Sequence, residues 1–590
     1  MTKYTTPIMA TLCAALDSRT STPSRNQGEK GHTQYDWISP NSNAEEAFVQ
    51  LYFQMVRATG VDESRVFCEK IKHILTECYT DYSNDRCVAK YLFKLVGHTR
   101  DIIDGKGERT LSYAGIMEWY NVNPILAMRL FDSFVHSLNT DGSYNDGHQY
   151  GSWNDVKYFC NYVKKLTSDF NHPMIEYAIR VMTSQISKDI ELFKNSKPVS
   201  LAIRHMPKQG KANGWLYRMI AMNMFPYYET ARTQESRDKA IHKAERELRK
   251  IYTEINRNAL KTPQVFMASG QKGEGEWDKL EFGKMTSKTL RAYPKAFQNL
   301  TKKGEERCLE EHRRLCANNY STHMSAVSRG EEKVNGKRCN PYELVKDAIS
   351  TPCGTSDEAR INGQWKDKMT TALELGNFIS IVDVSGSMTC DESRPLYSAI
   401  GLGIRLASTS RFRNRVLTFN DNPSWVKLNE GDTFCEKVRK IQHAPWGMST
   451  NFYKAMSLIL DTIVEKNIHP NEVSGLVLAV FSDMQMDQGS NDGHTVSEKV
   501  RRMYHDAGMR SQYREPYTPP HILWWNLRTT SGFPDISSSK NTTMLSGFSD
   551  ALLNSFFEKG TDALSDFTPK KMIYDILDKE RYDPLENLFY

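Results

Sequence analysis

The chain has no C-x-x-C pair, and its 11 cysteines are odd in number and widely spaced. A zinc knuckle or a disulfide framework needs tighter grouping, so reduced thiols and a cytoplasmic location are the expectation. No apolar run approaches the roughly 18 residues that a membrane-spanning helix requires, so no membrane partner is expected. The pattern G-x-x-x-x-G-K-[ST] is missing, which argues against a nucleotide P-loop. The 15 histidines are dispersed, and there is neither a Ser–His–acid arrangement nor a cysteine nucleophile with a partner. A non-enzymatic binding or scaffold protein is therefore expected. A strong charge of one sign is lacking too: the net charge is +6 over 590 residues, with 25% charged residues. That excludes an argument for nucleic acid from bulk charge alone.

The distribution of charge says more. Over residues 200–345, Lys and Arg outnumber Asp and Glu by 28 to 17. A locally basic middle fits either an anionic partner such as a structured RNA or an ordinary solvated helical surface. Within it, "RDKAIHKAERELRKIY" places Lys239, Lys243, Arg246 and Lys250 close to one helical face, with Glu245 and Glu247 interleaved.

Periodicity divides the chain. Residues 1–43, rich in Ser, Thr, Asn and Pro, read as a flexible tail. From 44 to 350, apolar residues recur at three- and four-residue spacings, as in "ESRVFCEKIKHILTECY" and "WNDVKYFCNYVKKL", broken by short Gly, Asn, Asp and Pro turns. This predicts an irregular helical-repeat region, joined by a linker at 351–370 to an α/β domain spanning 371–590. In that last part β-branched runs ("NFISIVDVS", "RVLTFN", "SGLVLAVFS", "HILWWNL") alternate with helical patterns. The alternation predicts a doubly wound, mostly parallel sheet covered on both faces, with any ligand at the carboxyl ends of the strands. The switch near 371 predicts that the two halves fold separately.

Two such strand ends carry the chemistry. "DVSGSM" sets Asp383, Ser385 and Ser387 just past the first apolar strand, and "FSDM" sets Asp483 past another. Thr450 lies in the loop "PWGMSTN", with Ser449 beside it as the alternative hydroxyl. Carboxylates with hydroxyls are hard oxygen donors, suited to Mg²⁺ or Mn²⁺, with Ca²⁺ as a further candidate, rather than to zinc. A Ser/Asp-rich turn held by its own hydrogen bonds is the simpler alternative for D-x-S-x-S alone. In the helical half, "RDIIDGKGER" offers Arg100, Lys106 and Arg109 around Gly105 and Gly107. The glycines and the following helix start could admit an anion, or could simply turn one helix into the next.

In order and spacing, Asp383, Ser385, Ser387, Thr450 and Asp483 resemble the metal-ion-dependent adhesion site of von Willebrand factor A domains. That resemblance implies one divalent cation held by the three hydroxyls and two acids, and a protein partner supplying an acidic side chain to it. The third loop reads Ser-Asp-Met where many relatives have Thr-Asp-Gly. More widely, "RDIIDGKGER", "GSWNDVKYF", "PWGMSTNF" and "FSDMQMDQ" resemble signatures of the DUF2828 family, which pairs a helical N-terminal region with an A-type C-terminal domain. The layout and the R-D…G-K-G-x-R stretch are more remotely similar to TROVE-domain proteins of the Ro type, a resemblance that implies RNA binding; the candidate contacts are Arg100, Lys106 and Arg109 in that stretch and, from the basic helix face, Lys239, Lys243, Arg246 and Lys250.

Overall fold

A computed structural model of the chain describes residues 23–590 except 41, 80–85, 142, 146, 261–266, 268–274, 371, 373–375, 413, 421, 445–450, 488–491 and 558–565. Up to residue 369 it is predominantly helical. The helices Ala44–Gln54, Val61–Tyr79, Arg86–Arg100, Arg109–Val122, Pro124–Val135, Asn154–Thr167 and Pro173–Lys194 follow the apolar spacings closely. Their starts are set by local chemistry: Asn43 caps the first by accepting from the Glu46 N–H, and Asn123 with Pro124 starts the fifth. The long helix Gln234–Asn258 begins at a capping box between Thr233 and Ser236.

Residues 376–557 build the sheet. Among the described residues its strands are β1 (Phe378–Asp383), β2 (Arg415–Phe419), β3 (Ser424–Lys427), β4 (Val477–Ser482), β5 (His521–Asn526) and β6 (Thr542–Ser546). Their spatial order is β6-β5-β4-β1-β2-β3. All neighbours pair parallel except the edge strand β3, which runs antiparallel to β2. Strands β1, β4, β5 and β6 are buried along their whole length, as their unbroken apolar runs require. Helices cover both faces. A Cβ on Gly403, in the helix Cys390–Thr409, would strike Val382 and Ser380. On the other face Phe452, at the start of Phe452–Glu465, packs against Phe419 and Trp524. The order reverses between β1 and β4, so the crevice outside their carboxyl ends is the switch point where open α/β sheets bind ligands.

Three expectations need correction. Of the expected tail, residues 1–22 lie outside the described residues, and the rest is largely structured. The strands Arg25–Gln27 and Thr33–Tyr35 form a hairpin whose Tyr35 exchanges backbone bonds with Phe533. Polar composition hid it because its partners lie about five hundred residues away. The expected linker is mostly the helix Ser356–Met369, capped by Thr355, with Ile361 buried and Trp365 stacked on Phe434 at 4.0 Å. The halves also share a core. One cluster of buried apolar residues runs from the first helices through the sheet to the C-terminal helices Pro569–Leu577 and Asp583–Phe589, while a smaller core gathers Phe282, Phe297, Tyr320 and Met324.

Candidate metal centre at the sheet switch point

Asp383 is the last residue of β1, and Asp483 directly follows β4, the adjacent strand. Both carboxylates are fully buried, and Ser385 nearly so. The chain turns off β1 through local bonds: the Ser385 N–H donates to Asp383 Oδ1 at 2.9 Å, and the Ser385 and Ser387 hydroxyls lie 3.1 Å apart. From β4, the Ser482 hydroxyl donates to Asp383 Oδ2 at 2.6 Å, and the Gln485 N–H donates to Asp483 Oδ1 at 3.1 Å. Burial, and next the charge of Asp483, push the Asp383 carboxyl up to about 7. Two acids in one dry crevice resist joint ionisation, and a proton or a cation relieves them. Arg528 provides part of that relief: its Nε donates to Asp483 Oδ2 at 3.0 Å, while its other end holds Glu29 of the N-terminal hairpin at 2.6 Å.

Four of the five expected ligands, Asp383, Ser385, Ser387 and Asp483, thus gather at the β1/β4 edge. Thr450 lies outside the described residues, as does Ser449. Among the described residues no group of three or more His, Cys, Asp and Glu side chains is arranged to hold a metal. The set here has two acids, and its remaining donors are hydroxyls. Next to it the backbone is strained: Asp391, Glu392 and Ser393 take φ of 46°, 56° and 60° in succession. Side chains crowd the following carbonyl in that region, so three such residues in a row are costly. Asp391 there lies 3.5 Å from Arg57 and 3.2 Å from Arg394. Sequence reading missed Arg528, Gln485 and Glu29. Arg528 follows the end of β5, so a strand-end rule could have found it, whereas nothing local marks Glu29.

The basic motif behaves differently. Arg100 is buried and forks onto Asp155, with Nε and Nη2 each 2.7 Å from a carboxylate oxygen, and Tyr113 donates to the same group at 2.5 Å. Its partner comes from the second motif, "GSWNDVKYF". Gly151 there has no room for a side chain, because a Cβ would come within 2.7 Å of Asp155 and 2.8 Å of the Phe134 carbonyl. Lys106 is buried as well. Its Nζ donates to the carbonyls of Tyr52 and Met55 and to the Ser546 hydroxyl, at 2.7, 2.9 and 2.7 Å. Burial pushes its pKa far down. Arg100 and Lys106 therefore spend their donors inside the protein, and their expected contact with RNA gives way to a structural role. Arg109 stays exposed, its guanidinium 4.6 Å from the Tyr158 ring centre. On Gln234–Asn258, Lys239 pairs with Glu235 at 2.6 Å and Lys250 with Glu247 at 3.2 Å, while Lys243 lies over Tyr227. Among the described residues Arg246 makes no ion pair, so half of the cations on this face are ion-paired within the helix.

The fold and the site together define a two-part protein: a helical N-terminal half and a mostly parallel α/β sheet with a buried acid pair at its switch point. The model of the DUF2828 family, a domain of unknown function, matches residues 158–378, and that of a second domain of unknown function, DUF7788, matches residues 377–586. The two matches meet where helix gives way to sheet. Among known proteins the chain is 27% identical over 521 residues to "Uncharacterized protein L728" of Acanthamoeba polyphaga mimivirus, an alignment covering 85% of this chain and 81% of that protein.

Proposed function

We propose that this is a non-enzymatic binding protein whose C-terminal part is a von Willebrand factor A-type domain holding one divalent cation at the β1/β4 edge. The observation that carries the reading is the burial of Asp383 and Asp483 side by side at the switch point, with the hydroxyls of Ser385 and Ser387 beside them. Oxygen-only donors of this kind select Mg²⁺ or Mn²⁺, or Ca²⁺ if the shell is roomy. The strand order and the antiparallel edge strand β3 support the domain type. Asp383 and Asp483 would hold the ion with the serine hydroxyls, and Thr450 would complete the set. An ion held by so few charged donors keeps affinity for one more anionic oxygen, so the partner is a protein presenting an Asp or Glu side chain.

Thermal unfolding of the full chain with and without Mg²⁺ or Mn²⁺ tests this. An ion that binds the native state alone stabilises it by about 2.7 kcal/mol at roughly a hundredfold excess over Kd. The wild type should show that rise and lose it with chelator, and Asp383→Ala should fold but fail to respond. A metal response that survives in Asp383→Ala removes the ion from this site.

A further inference from the structure

A large cavity lined by none of Asp383, Ser385, Ser387 and Asp483 belongs to no site so far assigned. Its volume is about 1100 Å³, and it opens between the G-K-G turn, the helix Asn154–Thr167, the segment 335–342 and the end of the sheet at Phe548. Pockets of roughly 300–1,000 Å³ hold small organic ligands, so this one has room for a ligand with several groups.

Its charge is one-sided. Arg57, Arg109, Lys165, Lys288, Lys337 and Arg338 all line it, Arg57 paired with Asp391 at 3.5 Å and Lys288 with Glu343 at 3.9 Å, whereas its own acids are Glu108 and Asp367. Asp367 is already committed, accepting the backbone N–H groups of Gly336 and Lys337 at 2.7 and 3.2 Å. Burial pushes the Glu108 carboxyl up to about 7, so much of its charge is withheld near neutrality. Lys165 and Lys337 are exposed, and among the described residues their ammonium groups make no ion pair. Arg109 is steered to the wall by the Tyr158 ring, and Arg338 by the Ile102 carbonyl at 3.2 Å. Such convergence of like charges in a concave space costs energy unless an anion enters it.

The floor adds backbone donors. The helix Arg109–Val122 starts in this cavity, and Glu108 at its N-cap makes no side-chain capping bond. Gly107 precedes it at φ 73°, with open space where a side chain would stand. First-turn N–H groups left without a cap, together with fixed arginine forks, suit the oxygens of phosphate better than a single carboxylate. Carbon surface from Tyr342 and Phe548 faces the same space, so part of the ligand is flat and apolar.

We infer that this cavity binds the phosphates of a nucleotide, carried either by a free nucleoside triphosphate or by the end of a single-stranded RNA. The site is independent of the cation at the sheet edge. Binding of ATP and of a short single-stranded RNA to the full chain, followed by fluorescence anisotropy at several salt concentrations, tests it. The double variant Lys165→Gln/Lys337→Gln removes two cavity charges that the fold does not use. Lys239→Gln/Lys243→Gln removes two charges from the remote helix face and serves as the control. The cavity variant should weaken binding about tenfold or more for each lost contact, and for RNA should flatten the salt slope by roughly 0.7 per contact. The control should keep affinity within about twofold. Binding of ATP assigns a free nucleotide, and binding of RNA alone assigns a strand end; both uphold the site. No binding of either probe at low salt overturns it, as does an equal loss in the control or full affinity in the cavity variant. Asp383→Ala should bind both probes as the wild type does, which keeps this outcome separate from that of the cation site.

Discussion

Asp383 illustrates how one buried carboxyl ties folding to pH. Its folded pKa of about 7 lies above the value of roughly 3.9 for an unfolded aspartate. The metal-free native state therefore holds a proton that the unfolded chain has released. The stability linked to this group is fully present below pH ~4 and is lost as pH rises through about 7. A bound cation replaces that proton, so Mg²⁺ or Mn²⁺ should raise the melting temperature more at pH 8 than at pH 5, and Asp383→Asn should flatten both trends. A metal effect equal at the two pH values would separate the ion from this carboxyl. Arg100 gives the contrasting case, since its charge is balanced internally. Asp155→Asn leaves a buried guanidinium without its anion and should cost about 3–5 kcal/mol. Tyr113→Phe deletes one donor to the same carboxylate and should cost about 1–2 kcal/mol. Urea midpoints of the two variants would rank them, and equal losses would deny the ion pair its central part. The acid pair was readable in the sequence because strand ends in parallel sheets gather ligands. Arg100 and Lys106 were misread because a Gly-flanked cation looks the same whether its partner is a ligand or a distant Asp155 or Ser546.

At the scale of elements, many helices and strands of the core followed their periodicities closely, though "SGLVLAVFS" forms a strand only from Val477. The strand expected at "NFISIVDVS" is Phe378–Asp383, and that at "HILWWNL" is His521–Asn526. Local patterns fail where partners are remote. The hairpin 25–35 has few apolar residues and is held by remote partners, Tyr35 meeting Phe533 and Arg25 reaching Glu498. The turn between Arg86–Arg100 and Arg109–Val122 shows the opposite, a motif whose glycines have separable reasons. A Cβ at Gly105 would lie 2.0 Å from the His98 carbonyl, while Gly107 has space but needs φ 73°. Backbone cannot yield as a side chain can, so Gly105→Ala should destabilise by more than the overpacking norm of about 1–3 kcal/mol. Gly107→Ala should cost only about 1–2 kcal/mol, the left-handed penalty. Denaturant melts that reversed this order would mean that the turn relaxes around Gly105.

At the scale of the molecule, the change of rhythm near residue 371 marks a change of architecture and not a boundary of folding. The last helices of the chain pack on the first half. Lys94, 1% exposed, bonds Glu586 at 2.6 Å and Asp578 at 3.1 Å. Asp101 takes both arms of a fork from Arg581 at 2.6 Å, and Phe589 stands 5.9 Å from Trp119 and 5.8 Å from Phe93. In return the sheet end is closed by the first helices. Lys106 ties Ser546 to Tyr52, and the Asn526 amide donates to the Phe53 carbonyl at 3.0 Å. A fragment starting near residue 365 would expose Leu585 and Phe589, leave the Ser546 edge bare and lose the hairpin that braces Arg528 through Glu29. Each loss strips partners from groups buried in the full chain, and unpaired buried polar groups cost about 1–3 kcal/mol apiece against a total stability of about 5–15 kcal/mol. The fragment should therefore be insoluble or unfold without cooperativity, and calorimetry of the full chain should show the shared core melting in a single main transition. A soluble fragment 365–590 with a sharp melt and an intact Mg²⁺ response would show instead that the sheet half owns its core, and that the bonds at Lys94, Asp101 and Lys106 merely dock one finished domain on another.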